Sequence, residues 1–251
     1  MPHRELPTLL FSVVSLLFAP HAVAQFPDKF TNLKVLPKDI SKQELQSTMR
    51  GFAFALGVRC EHCHVEKKAP EHGFDFAADD KEEKKTARIM LQMVAGINHD
   101  YISKVPEKAA GPTRIQVHCV TCHHGLAQPR TLLAVLSESL EKDGLQKTLA
   151  LYGQLRQKYY GSGQYDFGET TFNQLTEALL AKKANSDALA IEELNFSANH
   201  PDSMWSYHML AQTHEANGQV DKAIADYRKV LELHPDDQWA RQQIDSLSKT
   251  K

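Results

Sequence analysis

The sequence predicts an all-α protein in two parts, a module of helices built round two cysteine–histidine turns and, after it, an array of paired helices. Three observations predict this. Apolar residues recur at the three- and four-residue spacing of a single helix face along most long segments. All four cysteines fall in two pentapeptides, Cys60-Glu61-His62-Cys63-His64 and Cys119-Val120-Thr121-Cys122-His123. After Pro129 the composition shifts to helical pairs without cysteine, with Pro201 and Pro235 spaced 34 residues apart. A chain of 251 residues is long enough for one large domain or two modest ones, each with its own core. The formal net charge of -2 gives no basic patch and no reason to expect a nucleic-acid partner.

Residues 1–24 read as an export signal. Arg4 supplies a weak positive region, Leu9 to Ala19 an apolar core, and Ala22-Val23-Ala24 a small-x-small cleavage site before Gln25. The apolar run is short for a bilayer span, although an uncleaved anchor is the alternative. No cysteine follows it to carry a lipid, and no later stretch reaches membrane-spanning length. The expectation is a periplasmic protein with no integral membrane segment after cleavage.

Cys-x-x-Cys-His is the attachment signature of c-type haem. On a helical turn, residues i, i+3 and i+4 share a face, so two sulfurs and an imidazole can address one porphyrin together. The reading is therefore two covalently attached c-type haems, with Cys60, Cys63, Cys119 and Cys122 forming the thioethers and His64 and His123 the proximal iron ligands. His62 and His124 lie off that face. Four cysteines have three other uses. Exported proteins often pair cysteines as disulfides. A zinc ribbon would separate its knuckles by about 15–20 residues, and Cys63 and Cys119 lie much further apart. A thioredoxin-like pair would need a strand–helix–strand setting, and none is found.

The other face of each iron decides between electron carrier and enzyme. Ser41-Lys42-Gln43-Glu44 is a capping box, with Ile40 and Leu45 placed as a hydrophobic staple, so a helix starts there; Gly57 stops it. Leu45, Met49, Phe52 and Leu56 form one stripe along this helix, and Met49 stands eleven residues before Cys60. Met49 is thus a candidate distal ligand, the alternative being a core methionine. A second helix is expected from about Asp80 to Ser103, acidic at its start and apolar along Met90, Met93, Val94, Ile97 and Tyr101. Met90, Met93 and His99 are candidates for the second iron, and the Lys81 to Lys85 charge run reads as a solvated face. Pro106, Gly111 and Pro112 mark a loop into Cys119.

Residues 32 to about 130 resemble the photosynthetic reaction-centre cytochrome c subunit family, in which a methionine-bearing helix precedes each haem motif. The first unit carries the likeness in Asn32-Leu33-Lys34-Val35-Leu36-Pro37, Met49-Arg50-Gly51-Phe52 and Leu56-Gly57-Val58-Arg59-Cys60. The second carries it in Met93-Val94-Ala95-Gly96-Ile97-Asn98 and Thr121-Cys122-His123-His124-Gly125. The resemblance implies Met49 and Met93 as distal ligands, with Met90 in reserve. Photosynthetic members carry more haem motifs than the two present here, which leaves respiratory electron transfer as open as photosynthetic.

In the carboxy-terminal half, Tyr207, Leu210, Ala211, His214, Ala223, Tyr227, Val230 and Pro235 follow the tetratricopeptide pattern. An earlier copy at about Thr170 to Asn199 is degenerate, keeping Leu175, Leu179, Ala190, Ile191 and Leu194 as its packing stripe. Gln238 to Ser248 would be the closing helix, and Ala211 and Ala223 the small residues that let paired helices approach. Leu132 to Leu140 and Leu145 to Tyr160 form a further pair, with Gly161-Ser162-Gly163 as a hinge. The expected organisation is a signal over 1–24, a dihaem cytochrome c domain over 25–130, a helical connector over 131–163 and a tetratricopeptide-like domain over 164–251.

The function these readings imply is single-electron transfer with no catalytic residue. Partners would be redox proteins, a membrane electron-transfer complex among them, with the repeats as a docking surface. A dihaem peroxidase is the enzymatic alternative, for which no carboxylate or glutamine is convincingly placed. A repeat-based assembly scaffold is the other.

Overall fold

The computed structural model describes residues 26–106, 108, 115–198 and 203–249. The expected signal and cleavage site, the loop residues Gly111 and Pro112, and Pro201 lie outside them. Among the described residues the fold is all-α apart from one hairpin with two residues per strand. The chain forms two compact units, the first from residues up to Gly51 together with Arg59–Val117, the second from Phe52–Val58 and everything from His118 onward.

In the first unit, helix α1 begins as the capping box requires. Its range is Lys42–Leu56, the Glu44 carboxylate accepts from the Ser41 backbone N–H at 3.1 Å, and the Glu44 N–H donates back to the Ser41 hydroxyl at 3.2 Å. Gly57, at φ +66, ends it. Only the part of α1 up to Gly51 belongs to this unit; its last turn belongs to the second. The first Cys-x-x-Cys-His segment follows, and then a hairpin of β1, Val65–Glu66, and β2, Phe74–Asp75, paired antiparallel with Val65 opposite Asp75.

Helix α2 spans Glu82–Gly96. The expected single helix to Ser103 is interrupted: Ile97–Tyr101 is a π-turn and Ile102–Lys104 a 3-10 turn. The physical cause lies in Asn98, whose side chain grips the backbone of Val117, donating to its carbonyl and accepting from its N–H, both at 2.8 Å. A side chain held at two points by a distant segment fixes the local winding, and such π-turns concentrate at functional places. The Lys81 to Lys85 run is not uniformly solvated either. Lys84 turns inward, its ammonium donating to the carbonyls of Phe76 at 2.9 Å and Ala78 at 2.6 Å. Asp79 ties the amino-terminal segment to α2, meeting Arg88 at 2.8 Å, Lys34 at 2.6 Å and the Asn32 amide at 2.9 Å. Arg88 first, then Lys34, hold its carboxyl far below the usual carboxylate range.

In the second unit, α3 is the single turn Cys119–His123. Four helices then share one apolar interior: α4 Leu132–Asp143, α5 Leu145–Tyr159, α6 Glu169–Ala181 and α7 Asn185–Ala198. Leu132, Leu136, Tyr152, Phe172, Leu175 and Ile191 are buried at its centre. The helices read as a connector thus pack on the degenerate repeat. A second interior lies among α8 Met204–Ala216, α9 Val220–Leu233 and α10 Gln238–Lys249. Ala211, Ala223, Tyr227 and Val230 are fully buried there, so the small residues sit where the helices cross, as their spacing implies.

Candidate haem sites

The first motif folds into one turn. Cys60–His62 is a 3-10 segment, the Cys63 N–H donates to the Cys60 carbonyl at 3.2 Å, and the His64 N–H donates to the same carbonyl at 2.9 Å. A bond from residue i+4 back to residue i is the α-helical closure that brings Cys60, Cys63 and His64 to a common face. Cys60 is exposed, and Cys63 and His64 are half-buried. The His64 ring meets Phe76 edge-on, with centroids 5.0 Å apart, and Phe76 in turn packs on Phe26 and Phe74. Burial holds the imidazole below its ordinary pKa, the Lys84 cation pushing the same way and Asp75 opposing. A neutral imidazole is the form that binds iron. Burial, with Glu83 adding to it, pushes the Cys63 thiol up. His64 Nδ1 is buried without a hydrogen-bond partner.

The second motif is helical from the start. His118 and Thr121 cap it reciprocally, the His118 N–H donating to the Thr121 hydroxyl at 3.0 Å. His123 Nδ1 lies 2.8 Å from the Leu126 carbonyl oxygen. A cavity of about 510 Å³ opens beside Cys122 and His123, its wall including Leu126, Arg130, Tyr165 and Gln174. Gln164, also in that wall, keeps a buried side-chain oxygen without a partner. Apolar surface and a guanidinium next to the Cys122 thiol and an imidazole suit a flat macrocycle with carboxylate tails.

All four thiols are free, and among the described residues no three His, Cys, Asp or Glu side chains converge to hold an ion by themselves. Met49 is half-buried on α1. On α2, Met90 is half-buried and Met93 is 46% exposed. His99 is exposed, with its Nδ1 2.7 Å from Asp100. The motifs themselves were plain in the sequence, whereas Phe76, Lys84 and the Leu126 carbonyl were not. The dipeptide His124-Gly125 was the available signal for Leu126, since both residues take positive φ and turn the chain back.

Comparison with protein families matches residues 18–219 to the photosynthetic reaction centre cytochrome C subunit. The chain belongs to that family. The match implies covalently bound haem. Residues 204–244 match a tetratricopeptide repeat. Cytochrome c-554 of Chloroflexus aurantiacus is 30% identical over 102 residues, which is 41% of this chain. The chain spans only 22% of that curated relative's length. Among solved structures, the first TPR of Spaghetti (RPAP3), bound to an HSP90 peptide, is similar over 47% of this chain and 89% of that one, at 17% identity and a TM-score of 0.33. Among the described residues no helix is long and apolar enough to cross a membrane.

Proposed function

We propose that this protein is a periplasmic dihaem c-type cytochrome that passes single electrons, with residues 25–130 as its haem domain, 131–163 as a connector and 164–251 as a repeat domain that docks a redox partner. One observation carries the reading: each Cys-x-x-Cys-His segment of this family member closes into a turn, His64 N–H on Cys60 carbonyl in one and a capped helix over Cys119–His123 in the other. When bound, each haem supplies a one-electron iron couple. The chain would hold it through Cys60 and Cys63, or Cys119 and Cys122, and would offer His64 or His123 as an iron ligand. Met49 and Met93 would supply the second ligands to the irons, which would raise the potentials and leave no open position for substrate. Export through a signal over residues 1–24 delivers the chain to the side of the membrane where thioethers are made.

The test is the mass and redox titration of exported protein from a host that matures c-type cytochromes. A mass of polypeptide plus two haems and low-spin spectra in both oxidation states are expected; a bare polypeptide without a Soret band ends the reading. Met49→Ala should lower the first haem's potential and open its coordination, and an unchanged potential would dismiss Met49 as ligand. Separate removal of Met93 and Met90 assigns the second site. A high-spin haem with peroxide turnover in the unaltered protein would favour the peroxidase instead.

A further inference from the structure

The two proximal imidazoles differ in what their second nitrogen meets. At His123 the partner of Nδ1 is the Leu126 carbonyl, 2.8 Å away. A carbonyl can only accept, so the ring donates from Nδ1 and Nε2 keeps the lone pair for iron. At His64 the Nδ1 is buried and unpartnered.

The difference comes from the residues that follow each motif. His124 at φ +48 and Gly125 at φ +82 take the two positive angles of a primed turn, closed by the Leu126 N–H on the His123 carbonyl at 2.8 Å. Histidine and glycine tolerate those angles. Residue 126 is thereby turned back on residue 123 and holds it by both backbone groups. After His64 comes Val65, a β-branched residue that opens β1 opposite Asp75. The chain leaves extended and brings no carbonyl to the ring.

A proximal histidine that donates Nδ1–H to an acceptor is a more basic ligand, which favours ferric iron and lowers the potential. Without that bond, and against the apolar ring of Phe76, an imidazole favours the less charged ferrous state. We infer that the two haems are unequal, the His64 haem having the higher potential and taking the first electron, with the Leu126 carbonyl as the group that sets the His123 haem lower. This rests on the dihaem reading above. The one-electron-reduced protein is then ferrous at His64 and ferric at His123.

The experiment is a redox titration of the full exported holoprotein followed by NMR, after its mass has shown two haems. The haem whose resonances show contacts to Phe76 protons should become diamagnetic first, with the electron favouring it about tenfold or more, a separation of about 59 mV or more for a one-electron couple. Gly125→Val, which denies the turn its positive φ, should raise the lower wave toward the upper and leave the upper in place. His124→Gly, which keeps the turn, should leave both unmoved. Reduction of the Phe76-side haem second, or of both together, overturns the inference in the unaltered protein, whether or not Gly125→Val folds. So does a Gly125→Val protein in which only the upper wave moves. A mass short of two haems sinks the dihaem reading and this inference with it, whereas two attached haems of equal potential sink the inference alone.

Discussion

Between residues 26 and 117 the helices bury almost nothing of themselves, whereas from Leu132 onward each helix pair closes on an apolar interior. Leu45 is the one fully buried side chain of the first unit among the described residues, and α2 buries none. Ile89 and Met93 face outward instead, 60% and 46% exposed. Burying one leucine contributes about 1.5–3 kcal/mol, while fixing each residue's backbone costs about 1–2 kcal/mol. A segment of that length with so thin an interior needs apolar contact from elsewhere, and a porphyrin attached through Cys60 and Cys63 would supply it. The second unit needs no such help: Leu132, Phe172 and Ile191 fill one interior, and Tyr227 and Val230 the other. In one region the proposed haem would be structural material; in the other the polypeptide suffices.

The largest consequence concerns folding without thioethers. Changing Cys60, Cys63, Cys119 and Cys122 together to serine should leave residues 26–117 open to limited proteolysis while 132–249 keeps its helical circular dichroism and a cooperative melt. Loss of both regions together would make them one folding unit. Next in size, Tyr227→Ala opens a cavity where a fully buried ring donates its hydroxyl to Glu215 at 3.0 Å. A cost of about 3–5 kcal/mol is expected in denaturant titration, with the Soret spectrum unchanged.

A third prediction uses Glu192, fully buried between Thr176 at 3.1 Å and Asn195 at 3.2 Å. Burial is the dominant cause that raises its carboxyl from 4.5 to about 7, against those two hydrogen bonds. The folded state therefore binds more protons than the unfolded one between these values, and stability present below pH 4.5 is lost as the pH rises through about 7. Glu192→Gln should remove that slope. Its advantage over the wild type at pH 8 is roughly 3 kcal/mol, at ~1.4 kcal/mol per pH unit, and it disappears at pH 4. Equal pH profiles for the two proteins would show that folding leaves the carboxyl's pKa where it is in the unfolded chain. The smallest effect belongs to the first region: Ser41→Ala removes the α1 cap and should cost about 1 kcal/mol, read as a lower melting point of that region with the repeat transition unmoved.

Much of this architecture was legible because it is local. Ser41 and Glu44 announce α1, Gly57 ends it, and the tetratricopeptide residues from Tyr207 to Val230 mark α8 and α9 within a few positions. The two motifs named the cofactor by spacing alone. What escaped was decided by partners far along the chain. Asn98 bends α2 through Val117, Lys84 is drawn in by the carbonyls of residues 76 and 78, and a hairpin of two residues per strand leaves no periodicity to detect. The Leu126 contact is made by a backbone atom, which every residue type possesses, so only the His124-Gly125 turn before it hints at the contact.

Gly57 and Gly125 meet so closely that a Cβ on Gly57 would lie 2.1 Å from the Gly125 oxygen, and the Gly125 N–H donates to Ala55 at 2.9 Å. The approach to the first motif and the exit from the second are therefore one joint. A chain cut after its first motif would leave the Ala55 carbonyl, at the end of α1, without this donor.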